Sequence, residues 1–421
     1  MIRIGYACQT IGIPGTDFKS CILRNADETN LRNIITHNLE SLERILDYNI
    51  SAGIKLFRIT SDLIPFGSSP VNKLEWWKLY EEKFALLGDK IRQSNMRVSL
   101  HPGQYTVLNS PSEDVVKRAI EDLEYHTKIL EALGMDKKNK LVLHIGGAYN
   151  DRQEAIQRFI NNFRKLGEHL KDRIVLENDD RIFRMEEVLS IGEKVDAPVI
   201  FDNLHNNINP SNENYDEIKW INLCQATWKP ADGPQKMHYS DQNPNKKPGS
   251  HSDTINGETF QDFCLRLNRE DIDIMLEVKD KNLSAVKCCN IIAPKPSVKL
   301  LEREWSRYKY LVLEKSPKDY NHIRQLLKVK EEYKAVEFYK YLDHAMEQVL
   351  VTGNGINAAL HVWGYFKKCA DEKEKVTFEK KCSYYETGKL SLNGLKKYLW
   401  QLSCKYQQSY LLNSYYFKEV M

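Results

Sequence analysis

Six short apolar segments of this chain each end at a residue that can bind a metal ion. The segments are RVSLH, LVLHI, IVLEN, PVIFD, QKMHY and DIMLE, and the residues at or near their ends are His101, His144, Glu177, Asp202, His238 and Glu277. In a closed barrel of parallel strands every strand finishes on the same face, so side chains far apart in sequence can meet there. This pattern predicts a barrel that gathers imidazole and carboxylate groups at one rim.

Counting all short apolar segments gives eight within about 280 residues, which is the size of a TIM (β/α)8 barrel. They lie near residues 4, 58, 99, 143, 175, 200, 237 and 275. The intervening helices are predicted at Asn30–Tyr48, Lys73–Ser94, Glu113–Gly134, Gln153–Leu170, Arg184–Lys194 and Gly257–Leu267. The main alternative is an open doubly wound sheet, but that fold needs a glycine-rich phosphate turn after its first strand, and this sequence has none there.

The pattern changes near residue 295, where a proline-containing linker precedes a strand-poor region. Fourteen of the 22 tyrosines lie beyond residue 300. We therefore predict an α/β barrel domain at residues 1–294 and a second, smaller, all-α domain at residues 300–421. Helical periodicity begins at KPSVKLLEREWSRYKYLVLEKSP, and further helices are predicted at Asp319–Leu327, Glu331–Val349, Ala358–Ala370 and Leu392–Leu412.

Composition is that of an ordinary globular protein, with 42% hydrophobic and 28% charged residues. The first residues, MIRIGYACQTIG, lack the basic and apolar regions of a signal peptide, and no apolar run is long enough to span a bilayer. The nine cysteines are scattered without a CxxC pair, as expected of reduced thiols. We expect a cytoplasmic, monomeric protein with no membrane partner.

Charge is distributed unevenly along the chain. Residues 301–421 hold 21 Lys and Arg against 15 Asp and Glu, whereas residues 1–300 hold 40 against 43. An acidic barrel is unexpected for an enzyme that acts on nucleic acid. Two or three bound divalent ions would reverse that charge locally, since the charge of the ions must be counted.

Glu177 stands in the middle of the ligand series, so its carboxylate can bridge two ions. His101, His144 and Glu177 would hold one ion, and Glu177, Asp202, His238 and Glu277 a second. His205 and His251 could hold a third. A single histidine or acid at a strand end is usually a hydrogen-bonded rim residue, but six in series favour a metal centre. Imidazole and carboxylate without thiolate suit manganese, zinc or magnesium. Clustered ions suit in-line displacement at phosphorus.

The segment HPGQYTVLNSP, after the third strand, places Gln104 and Tyr105 beside these ligands. A flat aromatic next to an amide could enter a duplex and fill the gap left by extruded nucleotides. The alternative is a tyrosine packed under a neighbouring loop. Further polar and basic residues on the predicted rim loops are candidate DNA contacts, although such loops are often merely solvated: Arg58, Asn178, Arg181, Lys246 and Lys247.

These residues lie in linked motifs that resemble the ultraviolet damage endonuclease family, which is related to the endonuclease IV barrels. The motifs cover about residues 1–285 and are FRITSDLIPF, HPGQYTVLNSP, LVLHIGGAY, LENDDR, IFDNLHNNINP, KMHYSDQNPNKKPGSHSD and LEVKDK. The resemblance implies a manganese-dependent hydrolase that nicks ultraviolet-damaged duplex DNA immediately 5′ to pyrimidine dimers and related photoproducts. It also implies the eight metal ligands His101, His144, Glu177, Asp202, His205, His238, His251 and Glu277.

The same resemblance implies further roles. Gln104 and Tyr105 match the pair that probes damage, and Lys236 matches a lysine that the family can carry in carboxylated form. Together with Glu177 and His238, Lys236 completes the predicted catalytic set. Asp62 stands where some members have histidine, and Thr10 where an asparagine occurs, so the resemblance does not define the fine shape of the lesion pocket.

The carboxyl-terminal region resembles a YbgA-like helical domain of unknown function. Its Trp363, Tyr365, Lys367 and Lys368 could contact DNA by stacking and charge. The alternative is a helical bundle with an aromatic core.

Two other functions fit parts of the pattern. A sugar isomerase or epimerase also uses carboxylate, imidazole and two divalent ions, but it would have a closed polar pocket and no exposed probing loop. A binding protein with an inactive barrel would not need a complete ligand set.

Overall fold

The computed structural model describes residues 2–213 and 215–421, and its first part is a barrel of eight parallel strands. The strands are β1 (Arg3–Ala7), β2 (Leu56–Arg58), β3 (Arg97–Leu100), β4 (Lys140–His144), β5 (Ile174–Glu177), β6 (Val199–Ile200), β7 (Gln235–Tyr239) and β8 (Ile272–Leu276). They are hydrogen bonded in the order β6-β5-β4-β3-β2-β1-β8-β7. An isolated parallel bridge between Asp202 and His238 joins β6 to β7. The predicted TIM barrel is confirmed.

Helices follow the strands around the barrel. They are α1 (Glu28–Ala52), α2 (Trp76–Leu79), α3 (Glu81–Gln93), α4 (Glu113–Ala132), α5 (Arg152–Arg164), α6 (Glu168–Lys171), α7 (Met185–Val195), α8 (Asn203–Ile208), α9 (Glu217–Gln225), α10 (Gly257–Leu267) and α11 (Asn282–Ile291). Two predicted helices are each divided in the structure, Lys73–Ser94 into α2 and α3 and Gln153–Leu170 into α5 and α6. Gly167 precedes α6 with extended backbone, which accounts for the second break.

Local sequence explains where the longest barrel helix begins and ends. Asp27 accepts a hydrogen bond from the backbone N–H of Asn30 and so caps the first turn of α1. Gly53 follows the last turn at φ 75°, the left-handed conformation that glycine adopts without steric cost. The face of α1 that includes Leu42 and Ile45 is completely buried. Burial of this face holds α1 against the barrel.

Charged side chains fill the end of the barrel where the strands begin. Asp273 of β8 accepts hydrogen bonds from Arg97 of β3 at 2.8 Å and from Arg3 of β1 at 2.6 Å. Lys140 of β4 is fully buried and donates to Asp232 at 2.6 Å. Because Asp273 binds both arginines, it links β8 to β1 and to β3, which are not consecutive strands in the sequence.

The carboxyl-terminal region is helical, as predicted. Its helices are α12 (Val298–Lys315), α13 (Pro317–Leu326), α14 (Ala335–Glu347), α15 (Thr352–Trp363), α16 (Glu372–Glu386), α17 (Leu392–Lys405) and α18 (Ser409–Leu412). Helix α16 was not predicted, because its many lysine and glutamate residues leave little apolar periodicity. The predicted Ala358–Ala370 lies partly beyond the end of α15.

An aromatic core holds this region together. Trp363 is 6% exposed and stacks on Phe378 with ring centroids 4.3 Å apart. Tyr365 packs against the same core, and its hydroxyl lies 2.9 Å from that of Tyr310. Trp363 therefore belongs to the aromatic core of a helical bundle, which was the alternative to DNA contact. Its ring is not available for stacking on a base.

The described chain divides into two compact units. One contains the described residues up to Thr10 together with Gly15–Cys289, and the other contains Ile11–Pro14 together with Asn290–Met421. In the second unit Gly12 lies against the ring of Tyr415, where a side chain would not fit. The division falls within α11 rather than in the predicted linker. No helix among the described residues is both long and apolar enough to cross a membrane.

Replacing Asp273 by alanine should lower the free energy of unfolding by about 3–5 kcal/mol, because buried Arg97 would lose its counter-charge. Chemical denaturation followed by circular dichroism measures this. Asp89→Ala is the matched control, since that carboxylate is 61% exposed and pairs with Arg92 at the surface. Its loss should cost less than about 1 kcal/mol. Equal effects of the two substitutions would contradict a structural role for the buried network.

Candidate metal centre

The carboxylate of Glu177 lies at the centre of the barrel rim and is 1% exposed. Its Oε2 is 3.1 Å from Nε2 of His101 and 3.4 Å from Nε2 of His144. Its Oε1 accepts a hydrogen bond from Nδ1 of His238 at 2.6 Å. The two oxygens of one carboxylate therefore face two different groups of side chains.

Each of these groups has the composition of a metal site. The donor atoms of His101, His144 and Glu177 lie within 4.8 Å of one another, and so do those of Glu177, Asp202 and His238. One buried oxygen of these residues, Oδ2 of Asp202, has no hydrogen-bond partner and lies 4.0 Å from Nδ1 of His238. An unsatisfied buried acceptor is costly, and a bound cation would satisfy its lone pairs. The residues fit divalent ions.

Glu277 has a different environment from the one expected. Its carboxylate forms an ion pair with Arg58, at the end of β2, and lies 3.4 Å from Nδ1 of His238. Arg58 is therefore placed inside the rim, with its side chain only 13% exposed, rather than on a surface loop. Arg58 neutralises one acid of the centre and fixes its orientation.

His205 and His251 also lie beside the acids of this centre. Nδ1 of His205 is 3.9 Å from both Oε1 of Glu177 and Oδ1 of Asp202. Nε2 of His251 is 3.4 Å from Oε2 of Glu277. The two histidines therefore approach different acids, so a third ion bound by both would require Glu277 or Asp202 as well.

Asn178 is buried and supports the ligands. Its side-chain Oδ1 accepts from the backbone N–H of Asp202 at 2.9 Å, and its backbone carbonyl lies 2.9 Å from Nδ1 of His205. The structure therefore places Asn178 beneath the rim, where it orients Asp202 and His205. Its sequence position next to Glu177 gave no sign of this role.

Lys236 is fully buried in the barrel, two residues before His238 on the same strand, and its Nζ has no hydrogen-bond partner. Burial lowers the pKa of this amine well below its usual value, and the nearby cation of Arg97 lowers it further. The surroundings of Lys236 therefore favour its neutral form over its charged form.

Gln104 and Tyr105 project into solvent at the tip of the loop after β3. Tyr105 is 83% exposed. The tip is a tight turn in which the backbone N–H of Thr106 donates to Gly103 at 2.9 Å. The hydroxyl of Thr106 donates to Asp122 of α4 at 2.6 Å, so the turn is held at its base. Sequence analysis missed Asp122, which lies in a helix with no distinguishing motif.

A cavity of about 1300 Å³ is lined both by this turn and by two of the candidate metal ligands, His144 and His205. Gln104, Tyr105, Arg181 and His144 all contribute to its lining. The cavity places the exposed turn and part of the ligand set on one continuous surface. An extended ligand could therefore contact both.

The remaining predicted residues lie around this surface. Lys246 and Lys247 are exposed on the loop after β7, and Nζ of Lys246 is 3.9 Å from Asp253. Asp62 is exposed and lines the cavity. The hydroxyl of Thr10 lies 2.8 Å from that of buried Tyr6. Neither Asp62 nor Thr10 belongs to the two groups of close donor atoms.

The histidines differ in charge because their surroundings differ. Burial lowers the pKa of His101 to about 4, so its ring is neutral at pH 7. Burial also opposes the charged form of His205, but Asp202 and Glu177 outweigh it and raise the pKa of His205 to about 9. Burial alone would raise the pKa of Glu177, yet His238 and His144 lower it well below the usual value. The bridging carboxylate is therefore ionised.

Comparison with known proteins gives consistent matches for the barrel. Residues 2–302 match the family described as UV-endonuclease UvdE, and residues 309–420 match one described as protein of unknown function (DUF1722). The chain is 38% identical over 412 residues to the UV DNA damage endonuclease of Clostridium perfringens (strain 13 / Type A), covering 94% of this chain and 96% of that protein.

Two further comparisons cover about two thirds of this chain. The UV DNA damage endonuclease of Bacillus cereus (strain B4264) is 32% identical over 295 residues, covering 68% of this chain and 92% of that protein. A crystal structure of SacUVDE superposes with a TM-score of 0.66 at 37% identity, covering 69% of this chain and 98% of that one.

An ion bound by His205 must displace a proton from its ring. Because the pKa of His205 is about 9, the ring is charged at pH 7 and loses its proton as the pH rises. The apparent affinity for Mn2+ should therefore be up to about tenfold higher at pH 8 than at pH 7. Calorimetric titration in buffers of different ionisation enthalpy measures both affinity and released protons. His205→Gln should lose this dependence, whereas an unchanged affinity in the parent would contradict ligation by His205.

Proposed function

Because the chain belongs to the UV-endonuclease UvdE family, we propose that it nicks duplex DNA immediately 5′ to ultraviolet photoproducts. The observation that carries this proposal is the position of exposed Tyr105 on the same cavity as the metal ligands His144 and His205. A probing side chain and a hydrolytic centre on one surface can act on one distorted stretch of duplex. We place the endonuclease in residues 1–294 and a separate domain of unassigned task in residues 300–421.

We further propose Mn2+ as the resident metal, with Zn2+ or Mg2+ as alternatives that the same donors accept. His101, His144 and Glu177 would hold one ion, and Glu177, Asp202 and His238 another. Bound ions would supply activation of water and stabilisation of charge on the phosphate. A third ion would use His205, His251 and Glu277.

The residues of the chain itself have three tasks in this scheme. Glu177 keeps the two groups of ligands at a fixed separation because both of its oxygens are engaged. Arg58 holds the carboxylate of Glu277. Asn178 holds the backbone of Asp202, whose carboxylate accepts from the backbone N–H of His205. Hydrolysis adds water across the phosphodiester, breaks the bond between phosphorus and the 3′ oxygen, and leaves a 3′-hydroxyl and a 5′-phosphate.

Lys236 fits a carboxylated lysine. Its surroundings favour a neutral Nζ, which is the form that reacts with carbon dioxide, and this Nζ lies in the barrel without a hydrogen-bond partner. The carbamate would supply an oxygen ligand, which a cationic lysine cannot supply. It would also leave no unpaired amine in a buried position.

Lesion recognition would rest on deformability rather than on base edges. A photoproduct is poorly stacked and paired, so extruding it costs less than extruding normal nucleotides. Gln104 and Tyr105 would occupy the vacated space. Asp122 and Thr106 keep the turn in place, which reduces the entropy lost on insertion.

We also propose that the protein acts as a monomer and in the cytoplasm.

The alternative of a sugar isomerase is less well supported. A closed pocket for a monosaccharide has no use for a tyrosine that is 83% exposed at the cavity edge. The exposed turn instead suits a macromolecular substrate.

The direct test is incubation with a 5′-labelled oligonucleotide duplex that contains one defined cyclobutane dimer. With Mn2+ present we expect one product ending immediately 5′ to the dimer, and no product from the undamaged duplex. Removal of metal with a chelator should abolish cleavage, and added Mn2+ should restore it. Cleavage at another position, or equal cleavage of undamaged DNA, would refute the proposal.

Tyr105→Ala should weaken binding to the dimer-containing duplex about tenfold, because stacking on a base is lost. Binding to intact duplex and metal content should not change. Fluorescence anisotropy with both duplexes measures the effect. Tyr384→Ala is a control, since Tyr384 is 39% exposed and lies in the helical region. If Tyr105→Ala discriminates damaged from intact duplex as the parent does, the probing role is wrong.

A further inference from the structure

A second exposed apolar tip lies on the loop after β1. Ile22 is 55% exposed and Leu23 is 63% exposed, and Leu23 begins a short 3-10 helix that ends at Asn25. Loops that follow barrel strands lie on the face where the strands end, which is the face of the candidate metal centre. Two adjacent aliphatic side chains at this face therefore expose more than half of their surface to water.

The loop is fixed at both ends while its tip projects. Buried Asn38 of α1 accepts from the backbone N–H of Lys19 at 2.8 Å and donates to its carbonyl at 3.0 Å. Asn30 of α1 donates to the backbone carbonyl of Asn25 at 2.7 Å. Asn38 also donates to Leu63 at 3.1 Å, which joins this loop to the loop after β2. The apolar tip is therefore presented on a braced base.

Charge and position identify the partner. Lys19 and Arg24 flank the tip, both are exposed, and neither forms an ion pair within the part of the chain that the structure describes. Ser20 and Cys21 line the same cavity as Gln104 and Tyr105. The tip is apolar, has a cation on each side, and adjoins the surface that carries Gln104 and Tyr105. These features are complementary to duplex DNA, which has anionic phosphates outside and apolar stacked bases inside.

We propose that Ile22 and Leu23 form a second wedge that contacts the bases of the damaged duplex through the minor groove, while Lys19 and Arg24 contact the flanking phosphates. This inference rests on the proposed function. Aliphatic side chains inserted at a base step unstack it and favour a kinked duplex. Tyr105 would enter the duplex from a different loop. The distorted duplex would then be held at two places, by Tyr105 and by the tip formed by Ile22 and Leu23.

A protein surface is the competing occupant. Apolar tips also mediate contact with another protein or with a second copy of the chain. Unpaired Lys19 and Arg24 and the shared cavity favour DNA, and the test separates the two.

The test compares the double variant Ile22→Ser, Leu23→Ser with Leu265→Ser. Leu265 is 70% exposed on α10 and does not line the cavity, so it controls for loss of an exposed leucine. Anisotropy titrations give the Kd for dimer-containing and intact duplexes, and single-turnover incision at saturating protein gives the rate of cleavage. We expect the double variant to bind damaged duplex about tenfold more weakly than Leu265→Ser does, with no change in the affinity for intact duplex.

A companion variant tests the cations. Lys19→Gln combined with Arg24→Gln should weaken binding to damaged and intact duplexes alike. It should also reduce the slope of log affinity against log salt concentration by about two, the value expected for loss of two phosphate contacts. The wedge variant should leave that salt dependence intact. The two variants thus report separately on apolar insertion and on phosphate contact.

Three outcomes overturn the inference. In the first, the double variant binds damaged duplex as tightly as Leu265→Ser does. In the second, it loses affinity for both duplexes equally. In the third, it changes only the elution volume in size-exclusion chromatography, which would assign the tip to self-association. Each of these outcomes is read against incision of damaged duplex by the parent protein. If the parent itself fails to incise, the proposed function fails instead, so the two failures are distinguishable.

Discussion

The candidate site depends on the contacts that the carboxylate of Glu177 makes with two groups of side chains. Its two oxygens face separate groups of imidazole and carboxylate donors, and it is buried at the end of β5. A buried anion is stable only with compensating positive charge, which the surrounding histidines supply in part. Divalent ions would supply the rest. Two metal ions that shared this one carboxylate would be held at a fixed spacing.

The barrel supports this arrangement from both ends. At the rim, the bridge between Asp202 and His238 lies at the junction of β6 and β7, so two ligands are also the residues that join these strands. At the opposite end, Asp273 joins Arg97 and Arg3 across the interior. Closure of the barrel and placement of the ligands are therefore coupled. A change that loosens the junction would also displace two donors.

The sequence was sufficient to predict the barrel and the ligand series because strand ends in a closed barrel must meet. Spacing alone placed His101, His144 and Glu177 on neighbouring strands. It could not show that Arg58 turns inward to Glu277, because an arginine at a strand end has a long side chain with many accessible orientations. It also could not show that Asn178 would support Asp202, since that contact depends on the register between β5 and β6. Helix α16 was missed because its surface is charged on nearly all sides and only Phe378 and Tyr385 are buried.

Metal stoichiometry tests the central claim most directly. Purified parent protein, loaded with Mn2+ and freed of excess ions, should retain at least two ions per chain by inductively coupled plasma mass spectrometry. Glu177→Gln should lose ions from both positions, since the bridging oxygens serve both groups, while Glu82→Gln on the surface of α3 should retain the parental number. Circular dichroism would verify that both variants are folded. A Glu177→Gln protein that keeps the parental metal content, or a parent that retains no ion, would contradict the account.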